Sequence, residues 1–254
     1  MKKDTCIAIP RGSKDAEELM QSLKKSGQVL YDVEKKLYTA IDKMVSFRKQ
    51  PLLTIALGAS ILDKKQYKQI SALIKADTFD SLDVLLQVGA GDLDLAFDLM
   101  TLVRSKVSGK LTVIIPRTVS GPGSIMALLA DEIVGIDSTG IMPLNIPSMS
   151  PGMLGWYLNS GEMHPLYSKN AREFSRVYQF SEKQRRELLA KGYTKELLDH
   201  MMFQQNRVAR DFLIPSLARR GMRARVASGK ESRLIEKLAE PLNYSMDDFV
   251  LLTR

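Results

Sequence analysis

The sequence predicts an α/β protein built on a mostly parallel sheet with helices on both faces. Short apolar runs (Leu52 to Leu57, Leu82 to Val88, Leu111 to Ile115) alternate with stretches of helical period. That alternation, at this spacing, argues for βαβ units. Two of the runs lead into glycine-bearing turns, Gly89-Ala90-Gly91 and Val119-Ser120-Gly121-Pro122-Gly123-Ser124. Short right-handed connections put both turns at the carboxyl edge of the sheet, where open α/β folds bind ligands.

The elements follow in order. Residues 14–48 read as helix, interrupted at Gly27. Beyond it Leu30, Val33, Leu37, Ile41, Met44 and Val45 keep an i, i+3, i+4, i+7 stripe, with Lys35, Lys36 and Lys43 pointing away. Such a stripe packs on the body of the domain or on a neighbouring subunit. Lys64 to Ala76 predicts a helix that buries Tyr67, Ile70, Leu73 and Ile74. Asp92 is placed to cap the next helix, whose buried face is Leu95, Ala96, Leu99, Met100, Leu102 and Val103. After the third strand come the second turn, a helix Ser124–Asp131 and a short strand Glu132–Ile136. Residues 137–165, with four prolines, read as loop. From about Tyr167 the chain reads as helical, with starts at Ser181-Glu182 and Thr194-Lys195 and breaks at Pro215 and Gly221. Ser245 and the acidic pair after Met246 predict a last short helix. The expected organisation is an N-terminal helical segment (1–50), an α/β core (51–150) and a helical, basic C-terminal region (151–254).

Composition narrows the class. With 254 residues, 44% hydrophobic and 26% charged, the chain has the make-up of a globular protein with a sizeable core. No run reaches the ~18 apolar residues of a membrane helix, and the start lacks the apolar region of a secretory signal. The single cysteine, Cys6, cannot form an internal disulfide, which fits a reducing compartment. The expected location is cytoplasmic. The net charge is +8, and residues 171–230 hold 14 Lys/Arg against 6 Asp/Glu, leaving 23 of each sign elsewhere. The skew suits a solvated helical face, an acidic partner or nucleic acid. Arg207, Arg210, Arg219, Arg220, Arg223 and Arg225 are the residues a nucleic acid would meet, although no interleaved aromatics or binding motif accompany them. Histidine and cysteine are too few and too scattered for a metal centre. Neither glycine turn continues as a phosphate loop or a dinucleotide fingerprint, so no cofactor is expected.

Three pieces of the chain resemble the serine dehydrogenase proteinase family, intracellular relatives of Clp protease and signal-peptide peptidase A in the crotonase-like superfamily. LDVLLQVGAGDLDLAFDLMTLVR stands where the family has a strand, T-P-G-G-S and a helix. TVIIPRTVSGPGSIMALLADEIVGI stands where it has a strand, S-A-G-T and a helix ending in A-D-E-I-V. Ser138 to Asn145 looks like the family's S-E-L-G-P-I-D stretch. The resemblance covers Leu52 to about Ile146, roughly two-fifths of the chain. It implies a Clp protease/crotonase-like ββα spiral core, a homo-oligomer and a serine nucleophile in the second turn.

This sequence departs from that pattern at the turn itself. Aligned on Ala127 to Val134, the nucleophile's position is Gly121 and the next is Pro122. In Clp-type peptidases the residue after the serine gives an oxyanion-hole N–H, which proline lacks. Losing such a donor costs on the order of 10²–10³ in rate. Gly91 matches the second glycine of the family's donor pair, while Ala90 replaces the first and Asp92 the following serine. Asp92 reads either as a charge opposing an oxyanion or as a helix cap. A one-residue bulge would present Ser120 as nucleophile with Gly121 as donor. Ser124 is the other nearby hydroxyl, placed to bond to backbone. A base is also required. Of the two histidines, His164 and His200, neither stands at the family's position, which falls on Ile146; His164 or Lys169 would have to reach in from the loop. The leading expectation is therefore a catalytically degenerate, oligomeric binding or scaffold protein with a protein or peptide partner. The alternatives are a hydrolase using Ser120 with a non-standard base, and a nucleic-acid-associated protein.

Overall fold

The computed structural model describes residues 33, 35–57, 62–89, 91–144, 181–201, 209–242 and 249–253. A first helix, α1 (residues 35–48), leads into β1 (Leu52–Ala56), α2 (Lys64–Ile74), β2 (Leu82–Gln87), α3 (Leu93–Ser105), β3 (Leu111–Ile115), α4 (Pro122–Leu128) and β4 (Glu132–Gly135). After residue 180 come α5 (Glu182–Ala190), α6 (Lys195–His200), a 3-10 turn (Ala209–Phe212), α7 (Ile214–Arg219), β5 (Ala224–Val226), α8 (Gly229–Leu242) and β6 (Phe249–Thr253). The strands form one six-stranded sheet in the order β5-β4-β3-β2-β1-β6, parallel except for β6, which runs antiparallel to β1. The α/β class and the mostly parallel sheet agree with the sequence reading.

Strand alternation divides the core into two layers. Leu53, Ile55, Val84, Leu86, Val113, Ile115 and Ile133 face the larger cluster, built with α2, α3, α4, α5, α6 and α7. Leu52, Ala56, Leu85, Ile114 and Val134 face α1 and α8, which contribute Leu37, Ile41, Met44, Leu234, Ile235 and Leu238. The expected α1 stripe is thus buried on the sheet, and Lys35, Lys36 and Lys43 are exposed. Leu30 and Gly27 lie outside the described residues.

The structure also corrects several details. Leu73 is 42% exposed rather than buried, and Gln66 takes its place on the inner face of α2. Leu95 and Leu102 are only half-buried, while Leu93 and Phe97 join the inner face of α3. Pro215 opens α7 instead of breaking a helix, since the first turn has no use for its missing N–H. Gly221, at φ 91, does end that helix. Ser245 and the acidic pair that follows it lie outside the described residues; Phe249 to Thr253 is β6. The caps at Ser181 and Thr194 stand as expected, the former as a full capping box with Gln184.

Charged residues fasten α1 and α8 to the start of the sheet. Arg48, at the end of α1, donates to both oxygens of Asp83 on β2 (2.8 and 2.9 Å) and to Glu231 of α8 (2.9 Å). Glu231 also accepts from Arg225 of β5 (2.6 and 3.0 Å), which reaches Glu132 of β4 (3.2 Å). Burial pushes the Asp83 carboxyl up, more than Arg48 pulls it down. Burial raises Glu231 too, but there Arg225 and Arg48 together outweigh it and hold the carboxyl below its ordinary value.

Candidate functional site

The two glycine turns meet at the carboxyl edge of the sheet, as their position after β2 and β3 requires. The contact is close. The Ser120 hydroxyl donates to the Gly89 carbonyl at 2.7 Å, and the Ser120 N–H points to the Val88 carbonyl at 3.4 Å. Gly123 lets α4 approach the end of β2, because a Cβ there would stand 2.1 Å from the Val88 oxygen. No side chain fits in that gap.

The second turn has a definite form. Gly121 lies at φ 48, ψ −108, and the Gly123 N–H donates back to the Ser120 carbonyl at 3.0 Å. These are the marks of a type II′ turn with Gly121 and Pro122 as its central residues. Glycine supplies the positive φ and proline sits comfortably at the second position, so the Gly-Pro pair satisfies the backbone of the turn. Pro122 is also the first residue of α4, where its missing N–H costs nothing to the helix.

The polar groups of the turn are already engaged. The Gly121 N–H donates to the Pro143 carbonyl at 3.3 Å. The Ser124 hydroxyl, wholly buried, donates to the Met142 carbonyl at 2.7 Å and lies 3.4 Å from the Val119 carbonyl. Ser120 is 4% exposed. Segment 139–144 therefore acts as a brace. It pairs with the turn through Val119 and Ile141, and it is held from behind by Phe212, Leu213 and Met201. The stretch resembling S-E-L-G-P-I-D thus supplies acceptors to the turn through Met142 and Pro143, partners that side-chain patterns could not reveal.

At the first turn, Gly91 (φ 134) is packed so tightly on Leu62 that a Cβ would lie 2.5 Å from that residue's backbone. Asp92 caps α3, accepting from the Asp94 and Leu95 N–H groups at 2.8 and 3.1 Å. His200 is buried in α6, with Nε2 3.2 Å from the Asp211 carbonyl oxygen and its ring tilted against Phe212 at 5.3 Å. His164, Lys169, Ile146, Ala90 and Arg207 lie outside the described residues. Among the described residues no three His, Cys, Asp or Glu side chains are grouped to hold a metal, and no helix is long and apolar enough to cross a membrane.

No model of a protein family matches the chain, and no curated protein matches it in sequence. Solved structures similar to it include a membrane-bound stomatin-specific protease, 1510-N, in a mutant form in complex with a substrate peptide. That likeness has 14% identity, covers 74% of this chain and 96% of the other, and has a TM-score of 0.31. HypX from Aquifex aeolicus, in complex with tetrahydrofolic acid, is similar at 12% identity over 77% of this chain, with a TM-score of 0.33; the match spans 41% of the HypX chain. ThnE from S. clavuligerus is similar at 16% identity over 76% of this chain and 90% of its own, with a TM-score of 0.28.

Proposed function

We propose that the chain is a serine-peptidase-like subunit of the Clp/crotonase type that has lost catalysis and works by binding or scaffolding within a homo-oligomer in the cytoplasm. The observation that carries this reading is the state of the second turn. At the nucleophile's position stands a glycine whose conformation, with the proline after it, completes a type II′ turn. The neighbouring hydroxyls of Ser120 and Ser124 donate to the Gly89 and Met142 carbonyls, and the Gly121 N–H donates to Pro143. A working serine needs its hydroxyl bonded to a base and N–H donors open towards the developing oxyanion. Here those groups hold backbone together.

The basic C-terminal segment supports a structural role in the same reading. Arg225 is tied to Glu231 and Glu132, Arg185 to Asp199, and Arg223 to the Lys191 carbonyl. Cations engaged in this way contribute less to a nucleic-acid face than the bare count suggests.

Hydrolysis of a labelled casein and of a nitrophenyl ester, by the wild type and by Ser120→Ala, tests the proposal. The expected result is background turnover in both. Turnover in the wild type that disappears in Ser120→Ala would establish an active hydrolase instead.

A further inference from the structure

Helices α1 and α8 lie side by side on one face of the sheet, with their apolar stripes buried against it. Between them, on the outer side, runs a groove of about 590 Å³. That volume is in the range of ligand-binding clefts, roughly 300–1,000 Å³. The floor is apolar: Ala40 is 5% exposed, and Pro241, set inside α8, is buried. The rims are charged. Lys35, Lys36 and Lys43 of α1 and Lys237 and Glu240 of α8 line them, and all five are exposed.

Four ammonium groups meet one carboxylate in this groove, a surplus of three positive charges. Lys36 donates to Glu240 at 3.4 Å, but the two side chains are 64% and 61% exposed, and a pair so open to water contributes little. Among the described residues Lys35, Lys43 and Lys237 have no carboxylate partner. Lys36 and Lys43 stand two turns apart on the same side of α1, so positive charge repeats at about 10 Å along the helix.

We propose that the groove between α1 and α8 binds an acidic peptide segment of a partner protein. Carboxylates of the segment meet Lys36, Lys43 and Lys237, and its small apolar side chains rest on Ala40 and Pro241. An extended segment rises about 3.3 Å per residue, so an acidic residue at every third position matches the lysine spacing of α1. The surplus positive charge also steers such a segment towards the groove. Nucleic acid fits less well. Among the described lining residues no aromatic ring offers a base a stacking platform, and Glu240 would face phosphate. The proposal gives a partner class to the binding role inferred above and rests on that reading for there being a partner. No groove residue belongs to the glycine turns, so peptide binding and hydrolysis are measured separately and fail separately.

Titration of a fluorescein-labelled peptide of repeating Glu-Ala-Ser units with the full chain, read by fluorescence anisotropy at low salt, tests it. Lys36→Glu combined with Lys43→Glu reverses two charges on the rim. Both side chains are exposed, so the variant should fold, which a thermal melt checks. Lys65→Glu combined with Lys68→Glu, exposed on α2 at the opposite face of the sheet, changes the net charge equally but away from the groove. The expected result is saturable binding by the wild type, close to the same affinity in the α2 variant, and binding weakened about tenfold or more in the α1 variant. A single-stranded oligothymidylate, titrated in parallel, should bind more weakly than the peptide. No saturable binding of the peptide by the wild type, undiminished binding in the α1 variant, equal weakening in both variants, or tighter binding of the oligonucleotide would overturn the assignment.

Discussion

At the scale of single residues, Gly121 and Pro122 satisfy the backbone of the turn between β3 and α4. A serine at position 121 would have to hold φ 48, a left-handed value that costs a non-glycine residue about 1–3 kcal/mol. Gly121→Ser should therefore lower stability by about 1–3 kcal/mol in urea unfolding. It should gain no hydrolase activity, because Pro122 still lacks a donor and no described base faces the turn. The composition of the turn was legible in the sequence, and so was the cap at Asp92, because glycine, proline and capping carboxylates act locally. The carbonyls of Gly89, Met142 and Pro143 that occupy the turn's donors were not. Backbone acceptors leave no mark on side-chain patterns, and these reach the turn from distant parts of the chain.

Among the elements, α1 and α8 depend on Arg48 and Glu231 as well as on their apolar stripes. Asp83 is only 1% exposed, so Arg48→Ala leaves a buried carboxyl without its partner. Breaking such a pair costs about 3–5 kcal/mol, which denaturant unfolding should show. The acid limb of stability carries a second expectation. The folded-state pKa of Glu231 lies below its ordinary 4.5, so the folded protein binds this proton more weakly than the unfolded chain. The resulting stability is complete above 4.5 and is lost as pH falls through the depressed value. Asp83 is shifted upward and acts in the opposite sense. Glu231→Gln should therefore make the stability profile shallower below pH 4.5, as measured by urea unfolding across a pH series. The stripe of α1 could be read from its period alone. The ion network could not, because Arg48, Asp83, Glu132, Arg225 and Glu231 are brought together only by the folded sheet. The three residues of β5 are too few to carry a periodic signal. The five of β6 form a short apolar run, which by itself does not tell a strand from a helix.

The whole molecule is a two-faced sheet whose carboxyl edge holds the glycine turns and whose opposite edge gathers the charges. Both β5 and β6 come from the C-terminal part of the chain and close the sheet at its two ends, so the helical region foreseen there also completes the core. Light scattering at micromolar concentration should give the mass of an oligomer; a monomer would remove the scaffold part of the proposal while leaving the state of the turn untouched. The proposal stands or falls on whether a hydroxyl at the turn acts as a nucleophile. Reaction of the folded protein with a fluorophosphonate probe, read by intact mass and peptide mapping, decides this. The expected result is an unmodified chain in both the wild type and Ser120→Ala. A stoichiometric adduct on Ser120 or Ser124 of the wild type would contradict it.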